Sequence, residues 1–122
     1  MRTLRVSAGR NLKALITLFV TLSVSMGSYG VTGNVMKGIC DPDRPFADRA
    51  ACLSYVRGAH EMYLATSYLG GPRIYCLAEG VIVYQMAEIG YKYMNEHPEL
   101  LQEDFIDLLI LALKETFPCE EE

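Results

Sequence analysis

Histidine is nearly absent from this chain, and that scarcity excludes much chemistry. Its 122 residues hold only His60 and His97. No C-x-x-C and no H-E-x-x-H occurs, so no stretch has the ligand spacing of a zinc site. A G-x-S-x-G elbow, a phosphate-binding loop and a G-x-G-x-x-G fingerprint are missing too. His60 precedes Glu61, but adjacent helical residues point about 100° apart and do not form a working pair. His97 stands in a turn before Pro98 and reads as exposed. Acidic pairs such as Glu103 and Asp107 read as a solvated helix face rather than as a general acid and base. A Cys–His nucleophile is conceivable, but each cysteine is better used in a disulfide. The expectation is therefore a chain that is not an enzyme and needs no cofactor or metal.

A long apolar run is also lacking. The uncharged run Ala14–Met26 has 13 residues, whereas a membrane-spanning helix needs about 20. Arg2, Arg5, Arg10 and Lys13 precede it with no acid among them, and Gly27-Ser28-Tyr29-Gly30 follows. Basic, then greasy, then small is the grammar of a secretory signal peptide. Residues 1–26 are expected to be that signal, with cleavage between about 25 and 30; an uncleaved anchor is the alternative. No cysteine sits at the cut, so no lipid anchor and no membrane association after cleavage is expected.

Basic residues are scarce beyond the signal. Residues 27–122 carry seven of them against fifteen acidic ones, a net charge of −8. Phosphate repulsion then opposes nucleic-acid binding. A basic protein partner suits such a surface through electrostatic steering, and the same charge also serves solubility. With fewer than a hundred residues, no internal repeat and no linker, 27–122 reads as one domain with a modest core.

What is present is helical periodicity between breakers. Asp41-Pro42-Asp43-Arg44-Pro45, Gly70-Gly71-Pro72 and His97-Pro98 divide the chain. A first helix is expected over Thr32–Cys40, with Thr32 as N-cap and Val35, Met36 and Ile39 inward. A second runs over Ala47–Tyr68 with Cys52, Val56, Ala59 and Tyr63 on one face and Arg57 and Glu61 on the other. A third spans Val81–Glu96 with a core stripe of Ile82, Met86, Ile89 and Tyr93. The fourth starts at Pro98 and ends near Phe117-Pro118, with more than half its circumference apolar. No segment alternates convincingly as a strand. The fold class is all-α, a small bundle of about four helices stapled by disulfides.

Four cysteines, Cys40, Cys52, Cys76 and Cys119, lie behind the export signal. They allow three pairings. The short turn at Asn95–Pro98 makes the last two helices antiparallel, which brings Cys76 beside Cys119. Cys40 and Cys52 flank a hairpin. The favoured pairing is Cys40–Cys52 with Cys76–Cys119, which requires an oxidising compartment.

Two surfaces are candidates for partner binding. Tyr84, Glu88 and Tyr91 lie together opposite the core stripe of the third helix, where exposed tyrosines offer contact area at low entropic cost. A covering element or a dimer contact accounts for them equally well. The loop Leu69–Tyr75 joins Gly70, Gly71 and Pro72 to Arg73 and Tyr75 beside a disulfide. Loops on a stapled scaffold carry recognition, although a plain connector reads the same way.

Cys52-Leu53-Ser54-Tyr55-Val56-Arg57-Gly58 is followed by Tyr75-Cys76-Leu77-Ala78-Glu79-Gly80-Val81 and Gln85, then by Tyr93-Met94-Asn95-Glu96-His97-Pro98-Glu99. With Gly33-Asn34 ahead and Phe117-Pro118-Cys119 behind, this pattern resembles the Rap/Tai-type immunity proteins of bacterial type VI secretion systems. The resemblance covers nearly all of residues 27–122. Leu77-Ala78 departs from it, since the family usually has a proline shortly after that cysteine. The resemblance implies a small helical periplasmic protein of a Gram-negative bacterium, often a homodimer. It implies binding to a peptidoglycan amidase effector, a protein toxin, whose active-site cleft is blocked by a projecting loop and a helix face. No inhibitory residue transfers by position. The competing expectation is a small periplasmic acid-stress chaperone whose fourth helix exposes its apolar stripe once the acids are neutralised.

Overall fold

The computed structural model describes residues 30–120. The expected signal peptide, residues 1–26, lies outside the described residues, as does its cleavage region up to residue 29. Four α-helices form the described part: α1 Gly33–Ile39, α2 Phe46–Tyr68, α3 Val83–Glu96 and α4 Phe105–Thr116. There is no β-strand among the described residues, only an isolated bridge between Thr32 and Asp104. The all-α bundle is stapled by Cys40–Cys52 and Cys76–Cys119, with Cα separations of 5.2 and 4.9 Å.

The core lies where α3 and α4 pack antiparallel. Met86 and Met94 from α3 meet Phe105, Leu108, Leu109 and Leu113 from α4, and Val56 and Cys52 of α2 close the cluster. All eight are essentially inaccessible to solvent. Gly90 permits this approach, since a Cβ there would stand 3.1 Å from Leu109 Cδ1.

The N-terminal strap is tied by main chain rather than by side chains. Thr32 occupies the N-cap position of α1, but its side chain makes no capping bond. Instead the Gly33 and Asn34 amides donate to the carbonyls of Glu103 and Leu101, at 3.0 and 2.8 Å. The Phe105 amide returns a bond to the Val31 carbonyl at 2.7 Å. Two helix starts thus satisfy each other's orphan amides.

That exchange corrects the expected start of the fourth helix. Pro98 opens only a short 3-10 turn, Pro98–Leu100, and the chain then bends before α4 begins at Phe105. The bend presents the carbonyls of Leu101 and Glu103 to α1, which a continuous helix would have consumed internally. Two smaller corrections concern core stripes. Val35 of α1 is 53% exposed, and Ile82 is 59% exposed at the extended N-cap of α3. The Ile82 amide donates to Gln85 Oε1 at 3.0 Å, which starts α3 two residues later than its periodicity suggests.

Candidate functional site

Helix α2 runs 23 residues and its C-terminal end carries exposed apolar residues: Tyr68 is 91% and Leu69 83% exposed. There the chain reverses. The Leu69 and Gly70 amides donate to the carbonyls of Ala65 and Ser67, and the Gly71 amide to that of Thr66 at 2.9 Å. Gly70 adopts φ +93°, a conformation that favours glycine. A Cβ on Gly71 would meet the Thr66 carbonyl oxygen at 2.8 Å, so the reversal also needs a bare backbone there. Pro72 then stops any helical continuation.

Three rings from α2 and the loop hold the returning chain in place. The Tyr63 hydroxyl donates to the Tyr75 carbonyl at 2.8 Å. It also accepts from the amides of Ile74 and Tyr75, at 3.0 and 3.3 Å. The Tyr63 and Tyr75 rings stack at 4.1 Å, with His60 stacked beside them. His60 Nδ1 lies 2.9 Å from the Tyr75 hydroxyl. Burial lowers the His60 pKa, with nearby Glu61 opposing, and burial beside Tyr63 pushes Tyr75 up to about 12. Tyr75 therefore keeps its proton, and its hydroxyl is hydrogen-bonded to Nδ1 of a neutral imidazole. Beyond this clamp the Cys76 amide donates to the Phe117 carbonyl at 2.9 Å, next to the Cys76–Cys119 disulfide.

The expected partner-binding residues separate under this geometry. Gly70, Pro72 and Arg73 are exposed at the loop tip and Gly71 is half-buried. Tyr75, 4% exposed, belongs to the clamp beneath the tip, because its ring is what holds the loop down. On α3, Tyr84 and Glu88 reach solvent, while Tyr91 is half-buried against the core. The Arg49 guanidinium sits over the Tyr84 ring, 4.9 Å from its centroid. The loop tip and the Tyr84–Glu88 face are separate surfaces of the chain.

A groove escaped the sequence reading. Its volume is about 640 Å³, and Phe46, Ala50, Leu53, Arg57, Ile82 and Tyr84 line it. Phe46 is 79% exposed at its mouth. The signal was legible: Phe46, Ala50, Leu53, Arg57, Leu64 and Tyr68 follow helical spacing, as a second stripe beside the core-facing one.

The His97 ring lies tilted against Tyr93, with centroids 4.3 Å apart, and its Nδ1 is 3.2 Å from Glu99 Oε1, so the ring is partly covered. Among the described residues no group of three or more His, Cys, Asp or Glu is placed to hold a metal ion, and none has a free cysteine. No helix of the described part is long and apolar enough to cross a membrane. The apolar stripe of α4 is consumed by the core, with Phe105, Leu108, Leu109, Ala112 and Leu113 all buried. Exposing it to clients would require unfolding the domain. The arrangement is suited to recognition by shape, hydrogen bonding and charge.

Comparison with curated proteins finds no match, and comparison with solved structures finds none. A family model described as Rap1a immunity proteins matches residues 32–119, from the N-cap of α1 to the last cysteine. This chain belongs to the Rap1a immunity protein family.

Proposed function

We infer that this chain is an exported immunity protein that neutralises a peptidoglycan amidase delivered by a type VI secretion system. The observation that carries the reading is the loop tip Gly70–Arg73, which stands exposed at the end of α2 on a clamped base. A pre-formed projection enters a cleft without the ordering cost that a flexible loop would bear. Arg73 supplies the tip with a cation and hydrogen-bond donors, and Tyr84 with Glu88 would supply a second contact face. Family membership and two disulfides support the reading, since disulfides persist in compartments such as the periplasm. Removal of residues 1–26 as a signal peptide and assembly as a homodimer belong to the same proposal. The net charge of −8 would steer a basic toxin toward the domain.

The test is a titration of the purified chain against the amidase effector of its own organism, read as release of peptidoglycan fragments. Loss of activity at a stoichiometric ratio supports the proposal, and Arg73→Glu should weaken inhibition. An effector that keeps full activity under excess chain overturns it.

A further inference from the structure

The two disulfides sit in unlike surroundings. Cys40 and Cys52 are 8% and 2% exposed and belong to the core cluster, where α1 meets α2. Cys76 and Cys119 are half-buried and stand outside that cluster. They also lie outside every helix, Cys76 between α2 and α3 and Cys119 beyond α4. Thiol–disulfide exchange needs an incoming thiolate to touch a sulfur, so access decides which pair reacts. A thiol in solvent reaches Cys76–Cys119 in the folded chain. It reaches Cys40–Cys52 only after α1 has parted from α2, an opening that the core opposes.

The reachable pair is also the one that anchors the tip. Residues 69–82 join α2 to α3 without a helix or strand of their own. Among the described residues, the Tyr63 hydroxyl holds this segment at Ile74 and Tyr75. The Cys76 amide then makes the segment's one main-chain bond to the residues beyond α4, at the Phe117 carbonyl. The disulfide is the covalent part of that second tie. Cutting it leaves a single hydrogen bond of 2.9 Å there. The packing of α3 on α4 and the Cys40–Cys52 link are untouched, so the domain stays folded while Gly70–Arg73 gains freedom.

We propose that Cys76–Cys119 is a site of thiol–disulfide exchange with a protein dithiol of the Cys-x-x-Cys kind, and that its reduction loosens the Gly70–Arg73 tip while Cys40–Cys52 persists. The first thiolate of the dithiol attacks one sulfur of the pair. The S–S bond breaks, and the other cysteine leaves as a thiolate and takes up a proton. The second thiol of the reductant, deprotonated, attacks its own neighbour's sulfur in the mixed disulfide, and the remaining cysteine of this chain leaves and is protonated. The chain gains two electrons and two protons, and the dithiol departs as a disulfide. The consequence for a toxin rests on the reading of Gly70–Arg73 as the inhibitory tip, since a loosened projection bears the ordering cost that the clamped one avoids. The exchange itself does not rest on it.

The test uses the oxidised protein, expressed from the full-length gene and incubated without denaturant with reduced thioredoxin as the dithiol. Free thiols are alkylated at intervals and located by peptide mass spectrometry. Cys76 and Cys119 should become alkylated at least about tenfold faster than Cys40 and Cys52. A thioredoxin whose second active-site cysteine is replaced by serine should be trapped on Cys76 or Cys119. Hydrogen exchange at Ile74, Tyr75 and Cys76 should accelerate in the reduced chain, with the amides of α4 unchanged. Equal rates for the two pairs, earlier release of Cys40 and Cys52, a dithiol that reduces neither, or a reduction that leaves the loop amides unchanged overturns the proposal. No toxin enters the measurement. A chain that exchanges as described yet inhibits no amidase sinks the immunity reading alone, and one that inhibits while Cys76–Cys119 resists the dithiol sinks only the exchange site.

Discussion

The Tyr63 hydroxyl grips the backbone of Tyr75 from both sides. It donates to the Tyr75 carbonyl at 2.8 Å and accepts from the Tyr75 amide at 3.3 Å. Tyr63→Phe deletes that one oxygen while keeping the ring stack. The Ile74 and Tyr75 amides then lose their partner in a half-buried site, a cost of about 1–3 kcal/mol. Hydrogen exchange should accelerate at those two amides first, well before the core of α4 responds. Uniform acceleration across the domain would show that the clamp is not a local device.

Two glycines should respond in opposite directions to alanine. At Gly33 a Cβ would stand 2.6 Å from Leu108 Cδ1 and 3.2 Å from the Leu101 carbonyl oxygen. Gly33→Ala should therefore destabilise by about 1–3 kcal/mol, through overpacking between α1 and α4. At Gly58, in the middle of α2, nothing lies within 4 Å of an added Cβ. Gly58→Ala should stabilise the folded subunit by about 0.5–1 kcal/mol from helix propensity. Urea midpoints of the two variants check both signs.

The disulfides differ in what they close. Cys76–Cys119 spans a sequence separation of 43 and Cys40–Cys52 one of 12. In the chain-entropy description the first stabilises by about 4 kcal/mol and the second by about 3. The double variant Cys76→Ser, Cys119→Ser should therefore lose more stability than Cys40→Ser, Cys52→Ser. It should also free the loop base, so protease nicking near Arg73 distinguishes the two variants.

His60 gives stability a pH dependence of definite sign. Burial lowers its pKa below the ordinary 6.5, despite Glu61 nearby. The unfolded chain then binds the proton more readily than the folded one. Its contribution is fully present above pH 6.5 and is lost as pH falls from there through the lower folded value. Tyr75 acts at the other extreme: its pKa of about 12 lies above the ordinary 10.0, so its contribution is present below pH 10 and is lost as pH rises through about 12. Denaturant melts between pH 7 and 5 should show the first slope, and His60→Gln should flatten it. Ultraviolet titration should find Tyr75 ionising late, with Tyr55 and Tyr93 also raised above the ordinary value by burial.

How much could be read without coordinates depends on the range of the interaction. Helix positions followed from periodicity and breakers, because amphipathic burial and proline act within a few residues. The pairing of Cys40 with Cys52 and of Cys76 with Cys119 followed from helix order, since a short turn leaves antiparallel packing as the only compact route. The loop tip was legible from Gly70-Gly71-Pro72. Tertiary structure alone decided the rest. Tyr75 turned inward because the Tyr63 and His60 rings, a turn and more back along α2, offer it a stack and hydrogen bonds. The fourth helix gave up about its first two turns, from Pro98 to Phe105, where α1 takes the carbonyls of Leu101 and Glu103. Ile82 and Phe46 were left outside because the core was already filled by α3 and α4. Local sequence carries propensity and pattern; which side chain finds which partner depends on contacts between residues far apart in the chain, and those exist only once the helices have packed.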